Sequence, residues 1–229
     1  MSTKTAIVTG AAGNLGSAVV TKFIGNNFKV IAAVRNKGMT TTARANCEEV
    51  ALDLTDEESC QEFIDKMIIE NNSIDVAVLT AGGFTMGNVA STKTSDIAKQ
   101  YKLNFETAYN IARPVFAQMM KQNSGRIFLI GSRQGLDFSH AKGVTAYAFS
   151  KSLIFRLAEI MNAEAKGKNV VISVIAPSTI DTPENRISMP DADFSAWVSP
   201  AQVADVIYYY SGTEADVLRE PVIKVYNKA

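Results

Sequence analysis

A doubly wound α/β sheet of seven mostly parallel strands, with helices on both faces, is the fold class this sequence predicts. Three observations carry the prediction. Short apolar runs recur along the whole chain, and they lack the in–out alternation of a strand with one face in water. Amphipathic stretches of helical period separate them, the order that builds a sheet with helices on both sides. A glycine-rich turn follows the first run directly, where such a sheet places its ligand.

In chain order, the first strand reads Ala6-Ile-Val-Thr9, and a helix is expected over about 15–26. Val30-Ile-Ala-Ala-Val34 and Val50-Ala-Leu52 are the next two strands. A helix over 56–71 follows, with the Thr55 hydroxyl expected as its cap and Glu57 and Glu58 at the positive end of its dipole. Val76-Ala-Val-Leu79 precedes a helix over 95–121, and Ile127-Phe-Leu-Ile130 precedes one over 145–166. Val170-Val-Ile-Ser-Val-Ile175, a helix over 200–210 and Val222-Ile-Lys-Val225 complete the set. No repeat, low-complexity tract or linker interrupts the alternation, so residues 1–229 are expected to form one domain. Residues 182–199 hold two prolines, Pro183 and Pro190, with Pro200 directly after them, and few helix signals. A connection that long in a compact domain is expected to be a lid over the substrate.

Composition removes several functions. Lys+Arg and Asp+Glu balance at 23 each, which leaves no electrostatic footprint for nucleic acid or an anionic membrane. No apolar run reaches the length of a membrane span and no signal core opens the chain, so a cytoplasmic protein is expected. Cys47 and Cys60 have neither disulfide-framework nor metal spacing, and His140 is the single histidine. No metal site is expected.

The turn Thr9-Gly10-Ala-Ala-Gly13-Asn14-Leu15-Gly16 opens the first helix. Its glycines let backbone approach a pyrophosphate, which the helix N-terminus stabilises. Dinucleotide-binding sheets that take NAD usually end the second strand in an acid; here Val34 is followed by Arg35. A guanidinium there clamps a 2′-phosphate, so NADP(H) is the expected cofactor, with NAD(H) as the lesser possibility. At the third strand's end, Asp53-Leu54 either receives the adenine amino group or enters the next helix. Thr80-Ala81-Gly82-Gly83, after the fourth strand, removes side chains where a cofactor backbone would pass.

Tyr147-Ala-Phe-Ser-Lys151 sets a phenol and an ammonium one helical turn apart. The lysine charge is expected to draw the phenol's pKa down, so that it can exchange a proton near neutral pH.

In order, these pieces resemble the short-chain dehydrogenase/reductase family over almost the whole chain. Thr9, Gly10 and Gly16 match its glycine turn, with Asn14 at the middle glycine, a residue that tolerates the left-handed conformation. The resemblance implies a single Rossmann-type domain and a catalytic tetrad of Asn104, Ser132, Tyr147 and Lys151. Tyr147 would act as acid and base, Lys151 would bond the nicotinamide ribose, Ser132 the substrate oxygen, and Asn104 a water leading to solvent. Pro177, Ile180 and Thr182 resemble the residues beside the nicotinamide carboxamide. Ala81-Gly-Gly-Phe84 and the run from Asp181 to Trp197 resemble quinoid dihydropteridine reductases more narrowly. The presence of Ser132 and the lack of an acid at Val34 depart from that pattern. Arg133 and Gln134, directly after Ser132, either read the substrate or lie in solvent. Relatives pair through the third and fourth long helices, which implies a homodimer or homotetramer. The competing class is a non-catalytic dinucleotide-binding redox sensor or regulator; the small-molecule reductase is favoured by the intact Ser132, Tyr147 and Lys151.

Overall fold

A computed structural model describes residues 3–38 and 46–228. Seven strands form one sheet: β1 (Thr5–Thr9), β2 (Lys29–Val34), β3 (Cys47–Ala51), β4 (Val76–Leu79), β5 (Ser124–Ile130), β6 (Asn169–Pro177) and β7 (Val222–Val225). Their spatial order is β3-β2-β1-β4-β5-β6-β7. Every pairing is parallel, so the sheet is wholly rather than mostly parallel. The helices between them are α1 (Asn14–Gly25), α2 (Glu57–Asn71), α3 (Thr94–Tyr101), α4 (Thr107–Gln122), α5 (Arg133–Leu136), α6 (Thr145–Glu164), α7 (Pro183–Ser188) and α8 (Pro200–Ser211).

Strand alternation assigns neighbouring residues to two cores. Ile7, Ile31, Leu79 and Ile127 pack with Ile64, Ile111 and Phe155 of α2, α4 and α6. Ala6, Val8, Val30 and Val78 face the opposite side, against Val19, Phe23, Val203 and Ile207 of α1 and α8. Both faces are covered, which is why the strands read as unbroken apolar runs. Only β3, an edge strand bonded to β2 alone, carries acids, Glu48 and Glu49. Its first residue is therefore Cys47 rather than Val50, because a half-exposed edge tolerates charge that a central strand does not.

Two helices differ from expectation. The cap of α2 is Asp56, whose carboxylate accepts from the amides of Glu58 and Ser59 at 3.1 and 3.2 Å, while the Thr55 hydroxyl donates to Asp53. The stretch expected as one helix over 95–121 contains a wide turn of π-type at Lys102–Glu106 between α3 and α4. Such a turn adds a residue to the spiral and re-aims the side chains it carries. Asn104 lies within it.

The order reverses between β1 and β4, and ligands in sheets of this kind bind in the crevice beyond the strand ends at that point.

Candidate active site

The glycine turn is built by what its residues lack. Gly10 has φ +62°, and a β-carbon there would lie 2.8 Å from the amide nitrogen of Ala81. One on Gly16 would lie 2.2 Å from the Gly10 carbonyl oxygen. These glycines let the start of α1 nest against the turn after β4. Gly13 is the N-cap of α1 and supplies no side chain to its first turn, which leaves backbone N–H groups there for an anion. Asn14 is the first residue of α1 in ordinary helical geometry, so the left-handed conformation expected of it is not needed. Its amide instead donates to the Glu184 carboxylate of α7 at 2.9 Å. Leu15 is buried beneath the turn.

A groove of about 410 Å³ runs over the ends of β1 to β4, lined by Gly10, Gly13, Arg35, Asp53, Leu54, Ala81 and Gly82 among the expected residues. Leu103 and Thr107, on the π-type turn and the start of α4, close one wall and were not expected. Arg35 is exposed at the rim, and Val34 beside it is buried. Asp53 accepts from the Thr55 amide at 2.9 Å and hydroxyl at 2.7 Å. Those bonds, with Lys102 and Arg35 nearby, hold its carboxyl below the usual range.

On the other side of β4 the chain buries polar side chains. Ser132 caps α5, its oxygen accepting from the Gly135 amide at 3.0 Å, and it lies close enough to the Tyr147 phenol to draw its pKa down. Lys151 is buried and donates from Nζ to the Ile130 carbonyl at 2.7 Å. A β-carbon on Gly82 would lie 2.6 Å from Asn104 Oδ1 and 3.4 Å from Lys151 Nζ, so both head groups meet at the end of β4. Asn104 Oδ1 accepts from the Gly83 amide at 2.9 Å. Its Nδ2 faces the Gly83 carbonyl, Gln100 Oε1 and Ser150 Oγ at 3.0, 2.9 and 3.0 Å. Gly135 matters here too: a β-carbon on it would lie 2.6 Å from Lys151 Cβ and push α5 off α6.

The electrostatics correct one expectation. Burial raises the Tyr147 pKa, with the Ser132 hydrogen bond pulling it partly back. The helical spacing of Tyr147 and Lys151 stands, but the ammonium is engaged by the Ile130 carbonyl, and desolvation of the phenolate sets the direction. Burial also lowers Lys151 to about 8, since little around it compensates the charge.

The remaining expected residues lie on the segment crossing the strand ends. Pro177 ends β6, and Ile180 bridges to Val198. Thr182 caps α7, accepting from the Asn185 amide at 3.2 Å. Residues 182–199 thus contain a short helix that their composition did not predict, because Thr182-Pro183 supplies a cap and a first-turn proline. Asp181 pairs with Arg186 through both carboxylate oxygens, and Arg186 lies over the Phe194 ring at 4.7 Å. Trp197 is buried against Phe194 as an anchor and is not presented to the groove. Phe84, 60% exposed, meets Tyr147 edge to face with ring centroids 5.0 Å apart.

Elsewhere, burial pushes the Cys60 thiol up to about 12, which leaves it no nucleophile. His140 sits in an exposed turn beside Asp137. Among the described residues no helix is long and apolar enough to cross a membrane, and no three His, Cys, Asp or Glu side chains gather as for a metal.

Residues 4–192 match the short chain dehydrogenase family. The 3-oxoacyl-[acyl-carrier-protein] reductase of Thermotoga maritima is 24% identical over 97% of this chain and 96% of its own. A protein of Escherichia coli named cyclic-di-GMP-binding biofilm dispersal mediator is 25% identical over 93% and 91%. Among solved structures, ElxO with NADP bound superimposes with a TM-score of 0.89 at 23% identity, covering 97% of each chain.

Proposed function

Because the chain belongs to the short-chain dehydrogenase family, whose members are oxidoreductases built to bind a nicotinamide cofactor, we propose that it is an NADPH-dependent reductase of a carbonyl or imine carbon, with Tyr147 as the proton donor. One observation carries this reading: Ser132, Tyr147 and Lys151 converge at the end of β5, beside a groove whose glycines leave room for a dinucleotide.

The residues fit the cofactor. Gly10, Gly13 and the uncapped first turn of α1 would hold the pyrophosphate, with Leu15 and Gly16 beneath it. Arg35 would take a 2′-phosphate, and no carboxylate at the end of β2 opposes it. Asp53 and Leu54 would border the adenine, and Ala81, Gly82 and Gly83 would pass the ribose. Pro177, Ile180 and Thr182 would flank the nicotinamide. Bound there, the nicotinamide supplies the hydride. Tyr147 delivers a proton to the heteroatom that gains charge, and Ser132 donates to the same atom. Lys151, whose ammonium donates to the Ile130 carbonyl, would reach the ribose. Asn104 fixes the backbone of Gly83 and would hold a water leading from Lys151. Residues 182–199 would close over the substrate as a lid.

The narrower proposal is a flat quinonoid ring of the dihydropterin type, supported by the exposed Phe84 standing edge-on to Tyr147. Tyr147→Phe should lower kcat about 10²–10⁴-fold while leaving NADPH affinity unchanged; near wild-type turnover overturns the assignment of the acid. Arg35→Ala should erase a preference for NADPH over NADH in the same assay. A second reading, a dinucleotide-binding regulator without turnover, is favoured by the name of the Escherichia coli relative. Tight cofactor binding with no NADPH oxidation across quinonoid dihydropterin, ketones and quinones would select it. We further propose a cytoplasmic homodimer or homotetramer paired through α4 and α6, supported by the exposed Tyr109, Phe149, Leu153 and Ile160 on those helices.

A further inference from the structure

Five of the seven described arginines are paired. Arg113, Arg126, Arg156 and Arg186 each meet a carboxylate, and Arg219 donates to backbone carbonyls. Among the described residues, Arg35 and Arg133 alone have no such partner. Arg35 lines the cofactor groove, where a 2′-phosphate is its proposed partner. Arg133 stands next to Ser132.

The surroundings of Arg133 are built rather than incidental. Ser132 lies beside Tyr147 and caps α5, and Arg133 begins the first turn of that helix directly after it. The guanidinium lies over the Tyr226 ring, 5.4 Å from its centroid. The backbone that carries that ring is fixed in turn: the Ser178 amide donates to the Val225 carbonyl at 3.0 Å, and the Ser178 hydroxyl to the Tyr226 carbonyl at 3.1 Å. Asn227 then donates to the carbonyls of Ser195 and Trp197, which ties the chain's end to the far end of the lid segment. The segment after β7 therefore ties the end of β6 and the lid segment together, and its Tyr226 ring meets the cation at the start of α5. The carboxylate of Asp137, one turn along, is occupied by the Ser139 amide at 2.9 Å and by His140. An aromatic face orients a guanidinium but leaves its N–H fork open, and a planar oxyanion is the group that fork matches.

We propose that Arg133 is a specificity-determining residue that binds a carboxylate or other oxyanion on the substrate, so that the site selects oxo compounds bearing a negative charge a short spacer from the reducible carbon. This rests on the reductase reading above. A substrate held at both ends, oxygen on Ser132 and Tyr147 and oxyanion on Arg133, is oriented before hydride transfer.

The test uses the purified full chain and 3-, 4- and 5-oxo acids with their methyl esters, assayed by NADPH oxidation. At least one acid should show a kcat/KM tenfold or more above its ester. Arg133→Gln should remove that preference through KM, leave the ester unchanged, and bind NADPH as the wild type does; Arg133→Lys should recover part of it. If esters are reduced as well as acids, and Arg133→Gln changes neither, the inference is overturned while the reductase reading stands. If no member is reduced, calorimetric titration of the acids into NADP⁺-saturated protein decides. Binding that Arg133→Gln abolishes supports the oxyanion site, and absent or unchanged binding overturns it.

Discussion

On the β1–β4 side of the groove the chain works by leaving side chains out. Gly10, Gly16 and Gly82 each occupy a place where a β-carbon would strike backbone or a buried head group. On the β5–β6 side it works by burying polar groups: Ser132, Lys151, Asn104, Gln100 and Ser150 are all nearly inaccessible and all hydrogen-bonded. Among the described residues no buried side-chain nitrogen or oxygen lacks a partner. The first side achieves fit through sterics and is insensitive to pH. The second holds a lysine whose charge is expensive, so its behaviour should follow pH.

The sharpest way to break this contrast is Lys151→Met. Turnover should fall by about 10² or more, as it does when proton-transfer machinery loses a member. In the wild type, turnover that needs the ammonium should decline as pH rises through about 8. Stability should move the other way. The folded pKa, about 8, lies below the 10.5 of a solvated lysine, so the unfolded chain holds more protons between the two. Wild-type stability should therefore rise with pH across that window, by about 3 kcal/mol relative to Lys151→Met. Urea unfolding of both proteins at several pH values checks it, and parallel curves would remove the distinction between the two sides.

A pair of glycine substitutions in α1 tests the steric side. Gly16→Ala should cost about 1–3 kcal/mol and weaken cofactor binding, because its β-carbon meets the Gly10 carbonyl. Gly25→Ala, at the other end of the same helix with nothing within 4 Å, should be neutral or stabilising by up to about 1 kcal/mol. Equal effects in thermal unfolding would mean that the nesting of α1 on the turn does not matter.

The smallest effect concerns the link between the sides. Asn14→Gly removes the bond to Glu184, an exposed contact. Stability should be unchanged within error, while stopped-flow NADPH release becomes a few-fold faster. An unchanged release rate would show that α7 does not hold the groove closed.

Much of this was legible in the chain because it is written locally. A glycine turn, a Tyr and Lys one helical turn apart, and unbroken apolar runs are each set by neighbours within a few residues, and backbone sterics act over that distance. The Asp56 cap was missed for the same reason in reverse: Thr55 and Asp56 are both good caps, and only the Asp53–Thr55 bonds decide between them. Gln100 carried a helical-spacing signal four residues before Asn104, but nothing local marks Ser150 as their partner.

By itself, the order of apolar runs and glycines determined a doubly wound sheet and the strand ends at which its candidate site gathers. Tertiary structure alone decided how charges are tuned and shared there: the raised phenol of Tyr147, the depressed Lys151, the Arg133–Tyr226 pair and the Asn14–Glu184 link. The reason is physical. Backbone preference and periodicity are short-range properties of a chain, whereas desolvation and hydrogen bonding depend on which distant segments exclude the water between them.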